Sequence, residues 1–119
     1  MSYPHSTVFV PTKIIGDKSI VPGGLVIDLN ATISGQPDDA FELQSPRCVV
    51  LTNRSAEDFV DVAFYASGST VTPTYGAGIA IPPSAQVGFT LPATQHTCIG
   101  AVTDTGKTVA LNVVCGHGI

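Results

Sequence analysis

Short apolar stretches run along most of the chain, and within them apolar and polar side chains alternate. Two segments show a single apolar face most clearly, with Leu25, Ile27 and Leu29 in the first and Val60, Val62 and Phe64 in the second. A period of two residues is that of a β-strand with one buried face. No long segment has the apolar period of a helix without proline or glycine in it, so the pattern predicts an all-β protein.

Glycine, proline, serine and threonine divide these stretches into short strands. The predicted strands are Thr7–Val10, Ser19–Val21, Leu25–Ile33, Arg47–Asn53, Phe59–Ala66, Ile79–Ile81, Gln86–Leu91, Thr97–Val102 and Thr108–Val114. Their starts are about ten residues apart, which is typical of a single antiparallel β-sandwich, either immunoglobulin-like or jelly-roll-like. The 36 valine, isoleucine and threonine residues favour the same interpretation, because β-branched side chains pack well on pleated sheets.

The N-terminal segment differs from the rest of the chain. Residues 1–24 contain three prolines and the pair Gly23-Gly24, with only brief apolar stretches. We therefore predict a boundary after residue 24. Residues 1–24 form either an extended N-terminal arm that packs on a neighbour or the first strand pair of the same sheet, and residues 25–119 form the β-sandwich domain.

Composition narrows the class of protein. Charged residues make up 12% of the chain and the net charge is −4, while 44% of the residues are hydrophobic. That content is sufficient for collapse, so we do not expect a disordered chain. No apolar run approaches the roughly 20 residues of a membrane-spanning helix, and we expect no membrane partner. The five cations are scattered along the sequence, which argues against a nucleic-acid partner. Three cysteines without paired spacing favour a reducing compartment.

One long stretch has no charge at all. Residues 62–103 contain no Asp, Glu, Lys or Arg over 42 consecutive positions. A surface poor in charge is more natural where it meets other subunits than on a free monomer. The alternative is a surface covered by uncharged polar side chains, for which the thirteen threonines provide material. Of these two interpretations we favour the first, in which the uncharged surface contacts other subunits of an assembly.

The C-terminal region contains the one arrangement that suggests a metal. Two pairs of zinc-ligand residue types have i, i+2 spacing: His96 with Cys98, and Cys115 with His117. If residues 97–114 formed a hairpin with a two-residue turn, all four side chains would share one face and suit tetrahedral zinc. A bulged turn with Gly106 in the left-handed conformation fits the turn sequence better and sends the pairs to opposite faces. We therefore favour buried cysteines and surface histidines, with no metal.

The sequence shows little sign of catalysis. It has no nucleophile elbow and no phosphate-binding glycine loop, and His96 and Cys98 are too close in sequence to converge as a dyad. Residues 38–42 and 57–61 carry small acidic groups that we interpret as solvated loops. Ser55 begins a sequence that resembles the cap of a single helical turn. We expect a non-enzymatic protein without a cofactor.

The order of segments from Val49 to Gly118 resembles that of a known group of proteins. The segments that carry the resemblance are Val50-Leu51-Thr52-Asn53-Arg54-Ser55, Val60-x-Val62-x-Phe64, Gly78-Ile79-x-Ile81-Pro82-Pro83, Phe89-x-Leu91-Pro92 and Asp104-x-Gly106. Over about 70 residues this order is similar to that of the small β-sandwich virion proteins of tailed bacteriophages, which decorate or cement the capsid. The resemblance implies a non-catalytic homo-oligomer in the virion whose partners are the major capsid protein or other virion subunits.

We expect contacts with such partners at exposed aromatic and histidine side chains, because aromatic residues dominate interface energetics. The candidates are Tyr3, His5 and Phe9 in the arm and Tyr75 in an uncharged loop. Two other functions stay open. One is a carbohydrate- or receptor-binding module of a fibre or tail, although the chain has no Trp and only three Tyr to stack on sugars. The other is a small zinc-binding β protein.

Overall fold

The strands form largely where the alternation of apolar and polar side chains predicts them. A computed structural model describes residues 9–31, 33–36, 47–92 and 97–118 of the chain. Its strands are β1 (Val10–Ile20), β2 (Leu25–Asp28), β3 (Arg47–Asn53), β4 (Val60–Ala66), β5 (Ile79–Ile81), β6 (Gln86–Thr90), β7 (Thr97–Val102) and β8 (Val109–His117). The described residues contain no helix, so the predicted all-β class is confirmed.

The eight strands form two antiparallel sheets of four. The first sheet has the order β1-β8-β3-β6 and the second has the order β2-β7-β4-β5. Strand pairs nest within one another along the chain, since β1 pairs with β8, β2 with β7, β3 with β6 and β4 with β5. This nesting is the strand order of an eight-stranded jelly roll. The predicted β-sandwich is confirmed, and of its two forms the strand order is that of the jelly roll.

The two sheets bury their apolar faces against each other. The core contains side chains from both sheets and their flanks: Ile20, Ile27, Leu29, Val49, Leu51, Val60, Val62, Ile81, Leu91, Ile99, Ala101, Val109, Leu111, Val113 and Cys115. Phe64 of β4 and Phe89 of β6 meet across the layers, with ring centroids 4.9 Å apart. Ile79 is 47% exposed, because β5 is a three-residue strand at the edge of its sheet.

The expected hairpin of the last two strands is wrong. The turn itself follows the prediction, since Gly106 has a φ of +77° and the Lys107 N–H donates to the Asp104 carbonyl at 3.0 Å. However, β7 lies between β2 and β4 in the second sheet, whereas β8 lies between β1 and β3 in the first. The turn therefore carries the chain from one sheet to the other. The Pro82-Pro83 turn does the same between β5 and β6.

A crossing segment, residues 67–78, covers part of the outer face of the second sheet. A Cβ atom on Gly100 of β7 would lie 2.6 Å from the Val71 carbonyl oxygen and 3.0 Å from the Thr72 Cα. The Cys98 thiol, also on β7, donates to the Ser69 carbonyl of the segment at 3.8 Å and to the carbonyl of Ala66, the last residue of β4, at 3.3 Å. Glycine at position 100 thus lets the backbone of the segment lie directly on the sheet.

Residues 10–20 of the predicted N-terminal arm belong to the sandwich as strand β1, at the edge of the first sheet. Asp17 ties this strand to its neighbours, because its Oδ1 atom accepts hydrogen bonds from Asn112 Nδ2 at 2.8 Å and Arg54 Nε at 2.9 Å. The hydrogen bond from Asn112 and then that from Arg54 lower the pKa of the Asp17 carboxyl. Residues 1–8 lie outside the described residues.

Candidate interaction surface

Three loops at one end of the sandwich surround a shallow cavity of about 190 Å³. They are residues 54–59, 73–78 and 103–108, which precede β4, β5 and β8. The cavity, which we call the aromatic notch, is lined by Glu57, Asp58, Phe59, Tyr75, Asp104 and Lys107. Each loop contributes at least one of these side chains, so the notch forms only when all three loops are in place.

Two aromatic side chains give the notch its apolar surface. Phe59 is 43% exposed and Tyr75 is 37% exposed. A large aromatic side chain held partly in solvent is costly to hydrate and is the residue type that anchors protein interfaces. In the alternating pattern of β4, Phe59 lies on the same face as Asp61 and opposite the apolar residues. An aromatic residue on that polar face is the sequence signal that would have identified Phe59 as a surface contact.

A buried carboxylate fixes the loop that carries Tyr75. Asp61 of β4 points away from the core but is only 2% exposed, because the crossing segment lies over it. Its Oδ2 atom accepts hydrogen bonds from the Gly76 N–H at 2.6 Å and from the Gly78 N–H at 3.4 Å. Charge-assisted bonds to backbone donors are stronger than neutral ones, so Asp61 is the main tether of residues 73–78.

A buried amide fixes the loop that carries Phe59. The Asn53 Nδ2 atom donates to the Asp58 carbonyl at 2.9 Å and to the Ile81 carbonyl at 3.0 Å. Its Oδ1 atom accepts from the Ser55 N–H at 2.9 Å. The Ser55 hydroxyl in turn accepts from the Glu57 and Asp58 N–H groups, as the predicted cap requires, but a bend forms there in place of a helical turn. One side chain thus joins the loop to the end of β5.

The third loop adds charge to the rim. The Thr103 hydroxyl donates to the Lys107 carbonyl at 2.7 Å and closes this loop. The Lys107 Nζ atom lies 3.8 Å from Asp58 Oδ1, across the boundary between two loops. Both partners are partly exposed, so this ion pair contributes little to stability and leaves the rim acidic overall.

The electrostatic environment keeps the Tyr75 hydroxyl protonated. Partial desolvation raises the pKa of Tyr75, and the carboxylates of Asp104, Asp61 and Asp58 raise it further. A neutral phenol can donate a hydrogen bond to a partner as well as contribute its ring. The notch therefore presents two aromatic rings and a hydroxyl donor among carboxylate acceptors.

We expect Asp61→Ala to lower the free energy of unfolding by about 2–4 kcal/mol, because two backbone N–H groups under the crossing segment lose their acceptor. Urea unfolding measures this loss, and amide exchange at Gly76 and Gly78 is expected to accelerate. Asp104→Ala removes an exposed carboxylate from the same rim and is expected to cost less than about 1 kcal/mol. Equal effects of the two substitutions would contradict the role of Asp61 as a tether.

The predicted interface residues are divided between described and undescribed parts of the chain. Tyr75 lies in the notch, as a surface contact would require. Phe9 is half-buried, and its ring packs against Gly116 of β8 in the same chain. Tyr3 and His5 lie outside the described residues. The structure therefore brings Tyr75 together with Phe59, which the sequence did not single out.

The two cysteines among the candidate zinc ligands are held on different sheets. Cys98 lies on the outer face of the second sheet beneath the crossing segment, and Cys115 lies in the core on the first sheet. His117 ends β8, and His96 falls outside the described residues. Burial raises the pKa of the Cys98 thiol and the Asp28 carboxylate raises it further, which opposes the thiolate that a metal needs. Within residues 9–31, 33–36, 47–92 and 97–118, no three His, Cys, Asp or Glu side chains are grouped to hold a metal ion.

Two further findings bear on function. In the part of the chain that the structure describes, no helix is long and apolar enough to span a membrane. Comparisons of the chain with protein-family models, with curated proteins and with solved structures found no match.

Proposed function

We propose that this chain is a non-enzymatic structural protein of a virion, a decoration or cement subunit that binds a phage capsid. The observation that carries the proposal is the jelly-roll order of its eight strands. The jelly roll is an architecture of viral capsid proteins, as well as of lectins and cupins, and in this way the fold supports the proposal. The resemblance of residues 49–118 to phage virion proteins points to the same class.

The packing of the molecule supports a scaffold that binds through its surface. Apolar side chains from both sheets pack together in the core, and the notch lies outside this core at the loop ends. In this proposal the major capsid protein or another virion subunit contacts Phe59 and Tyr75, and the acidic rim adds polar contacts around them. A homo-oligomer on the shell would present several notches at once and bind through all of them.

Co-sedimentation with capsid shells of the virus that encodes the chain tests the proposal. We expect the wild-type protein to sediment with shells that lack it. The double variant Phe59→Ser/Tyr75→Ser is expected to bind about tenfold or more weakly, because loss of one anchor residue costs about 2 kcal/mol. Val71→Ser, which removes another exposed apolar side chain, is the matched control.

The wild-type measurement tests the proposed function, and the double variant tests the notch as the site of contact. A wild-type protein that stays in the supernatant at all shell concentrations would refute the proposed function. Wild-type binding with an unaffected double variant would refute the notch as the contact and would leave the function standing.

The notch favours a carbohydrate- or receptor-binding module of a fibre or tail as the second candidate. Aromatic rings stack on sugar faces, and carboxylates such as Asp58 and Asp104 accept hydrogen bonds from sugar hydroxyls. A glycan array probed with the wild-type protein and with Tyr75→Ser distinguishes this candidate. Glycan binding that is lost in the variant would support it, and its absence would leave the capsid subunit as the better proposal.

A further inference from the structure

β1 is the outermost of the described strands of the first sheet, and residue 36 makes contact along the edge of β1 that no described strand pairs with. The Ile14 N–H donates to Gln36 Oε1 at 2.7 Å, and Gln36 Nε2 donates to the Ile14 carbonyl at 2.9 Å. The side-chain amide therefore satisfies both backbone groups of one edge residue. Among the described strands β1 pairs with β8 alone, so these two groups belong to the side that faces away from the sheet.

The Gln36 amide provides the same pair of bonds as a residue on a neighbouring strand would. In an antiparallel ladder, two opposite residues of a hydrogen-bonded pair exchange an N–H and a C=O in each direction. The reciprocal bonds to Gln36 reproduce this exchange with a primary amide in place of a peptide group. The edge of β1 at Ile14 thus exchanges with this amide the same two kinds of hydrogen bond that it would exchange with a strand.

Other features of β1 are those of a protected edge. The pairing with β8 has register shifts between Pro11 and Lys13 and between Ile14 and Gly16. Bulges and proline are devices by which sheets limit edge-to-edge association. Ile14 itself is 55% exposed, so the edge offers an aliphatic side chain to an incoming strand next to its backbone groups.

We propose that Gln36 closes the edge of β1 against strand addition, and that the strand it excludes is β1 of a second copy of this chain. Two β1 strands that meet at Ile14 about a two-fold axis form a self-complementary antiparallel pair. In that pair each Ile14 supplies to the other the N–H and C=O that Gln36 now supplies. The two exposed isoleucine side chains come together on one face. This inference is independent of the proposed virion function.

The wild-type chain gives the first test, by amide hydrogen exchange. The Ile14 N–H is expected to exchange about tenfold or more slowly than an unbonded edge amide, because the Gln36 carbonyl protects it. Exchange of the Ile14 N–H at the rate of an unbonded amide would overturn the proposal without any substitution.

Removal of the amide gives the second test. Sedimentation velocity of Gln36→Ala is expected to show self-association about tenfold tighter than that of wild type, because strand addition no longer competes with the two intramolecular hydrogen bonds. Gln86→Ala is the matched control, since Gln86 lies on the opposite edge strand β6, where its amide donates to Thr52 Oγ1. Equal association of the two variants, or none in Gln36→Ala, would overturn the proposal.

A double variant tests the surface of contact. Ile14→Pro removes the backbone N–H that lies on the outer edge of β1. The backbone groups of β1 that bond to β8 are kept. Gln36→Ala/Ile14→Pro is therefore expected to return to the association state of wild type. Persistent association of the double variant would place the contact elsewhere and overturn the proposal.

Discussion

Asn53→Asp is expected to lower the free energy of unfolding by roughly 3–5 kcal/mol, although the two side chains have the same shape. Asn53 is fully buried, and its Nδ2 atom donates to the carbonyls of Asp58 and Ile81 at 2.9 Å and 3.0 Å. In the variant a carboxylate oxygen faces these two carbonyl oxygens. Both carbonyls lose their donor, and a negative charge is placed away from water.

The loss is expected to depend on pH. Burial beside two carbonyl oxygens disfavours the charged form, so the pKa of the new carboxyl in the folded state lies above its unfolded value of about 3.9. The variant is therefore least stable above the folded pKa, and the loss shrinks as the pH falls through that value. Urea unfolding of variant and wild type at pH 7 and at pH 4 measures the difference.

Gln86→Glu is the matched control for this substitution, because it makes the same change from an amide to a carboxylate. The Gln86 side chain is exposed on the edge strand β6, where solvent screens the added charge and its partner, the Thr52 hydroxyl, can donate to a carboxylate. We expect a cost below about 1 kcal/mol at pH 7. Similar unfolding midpoints for the two variants would contradict the assignment of Asn53 as the buried link between its loop and β5.

Local pattern was sufficient to predict most of the strands, because the direction of a side chain in a strand depends on its nearest neighbours. The prediction missed residues 11–18 of β1, which it placed between two short strands. Leu25 and Ile27 of β2 face the core as their spacing predicts, and so do Val60 and Val62 of β4. The local pattern does not show which strands pair with one another. In a jelly roll β8 pairs with β1 and β3, far away in sequence, so the turn around Gly106 contains no information about them.

The candidate site was only half predictable for the same reason. Tyr75 lies in a stretch of sequence without charges, yet in the structure Asp58 and Asp104 line the same cavity, and the carboxylate of Asp61 also raises the pKa of Tyr75. These residues come from other segments, and they meet Tyr75 only because residues 67–78 cross the sheet. Asp61 was expected in solvent, since alternation places it on the outer face and does not show what covers that face.

One feature of the sequence does mark the crossing, and it is Gly100 in the middle of β7. A glycine inside a strand often permits another backbone to approach closely. The three atoms nearest to a Cβ at this position would be the Val71 carbonyl oxygen, the Thr72 Cα and an atom of the Tyr65 ring, all within 3.0 Å. Backbone atoms on a packed sheet have little freedom to move, so this position is intolerant of any side chain.

Gly100→Ala is accordingly expected to lower the free energy of unfolding by about 3 kcal/mol, at the upper end of the cost of overpacking. Gly23→Ala is the matched control, because a Cβ there meets no atom within 4 Å and its φ is not positive, so its cost is expected to be near zero.

The methyl group added by Gly100→Ala pushes the crossing segment away from the sheet and uncovers the Cys98 thiol, which is only 1% exposed in the wild type. Labelling of the folded protein with a thiol reagent is therefore expected to be faster at Cys98 and unchanged at Cys115 in the core. Unchanged labelling of Cys98 together with a wild-type unfolding midpoint would show that the segment does not lie on Gly100.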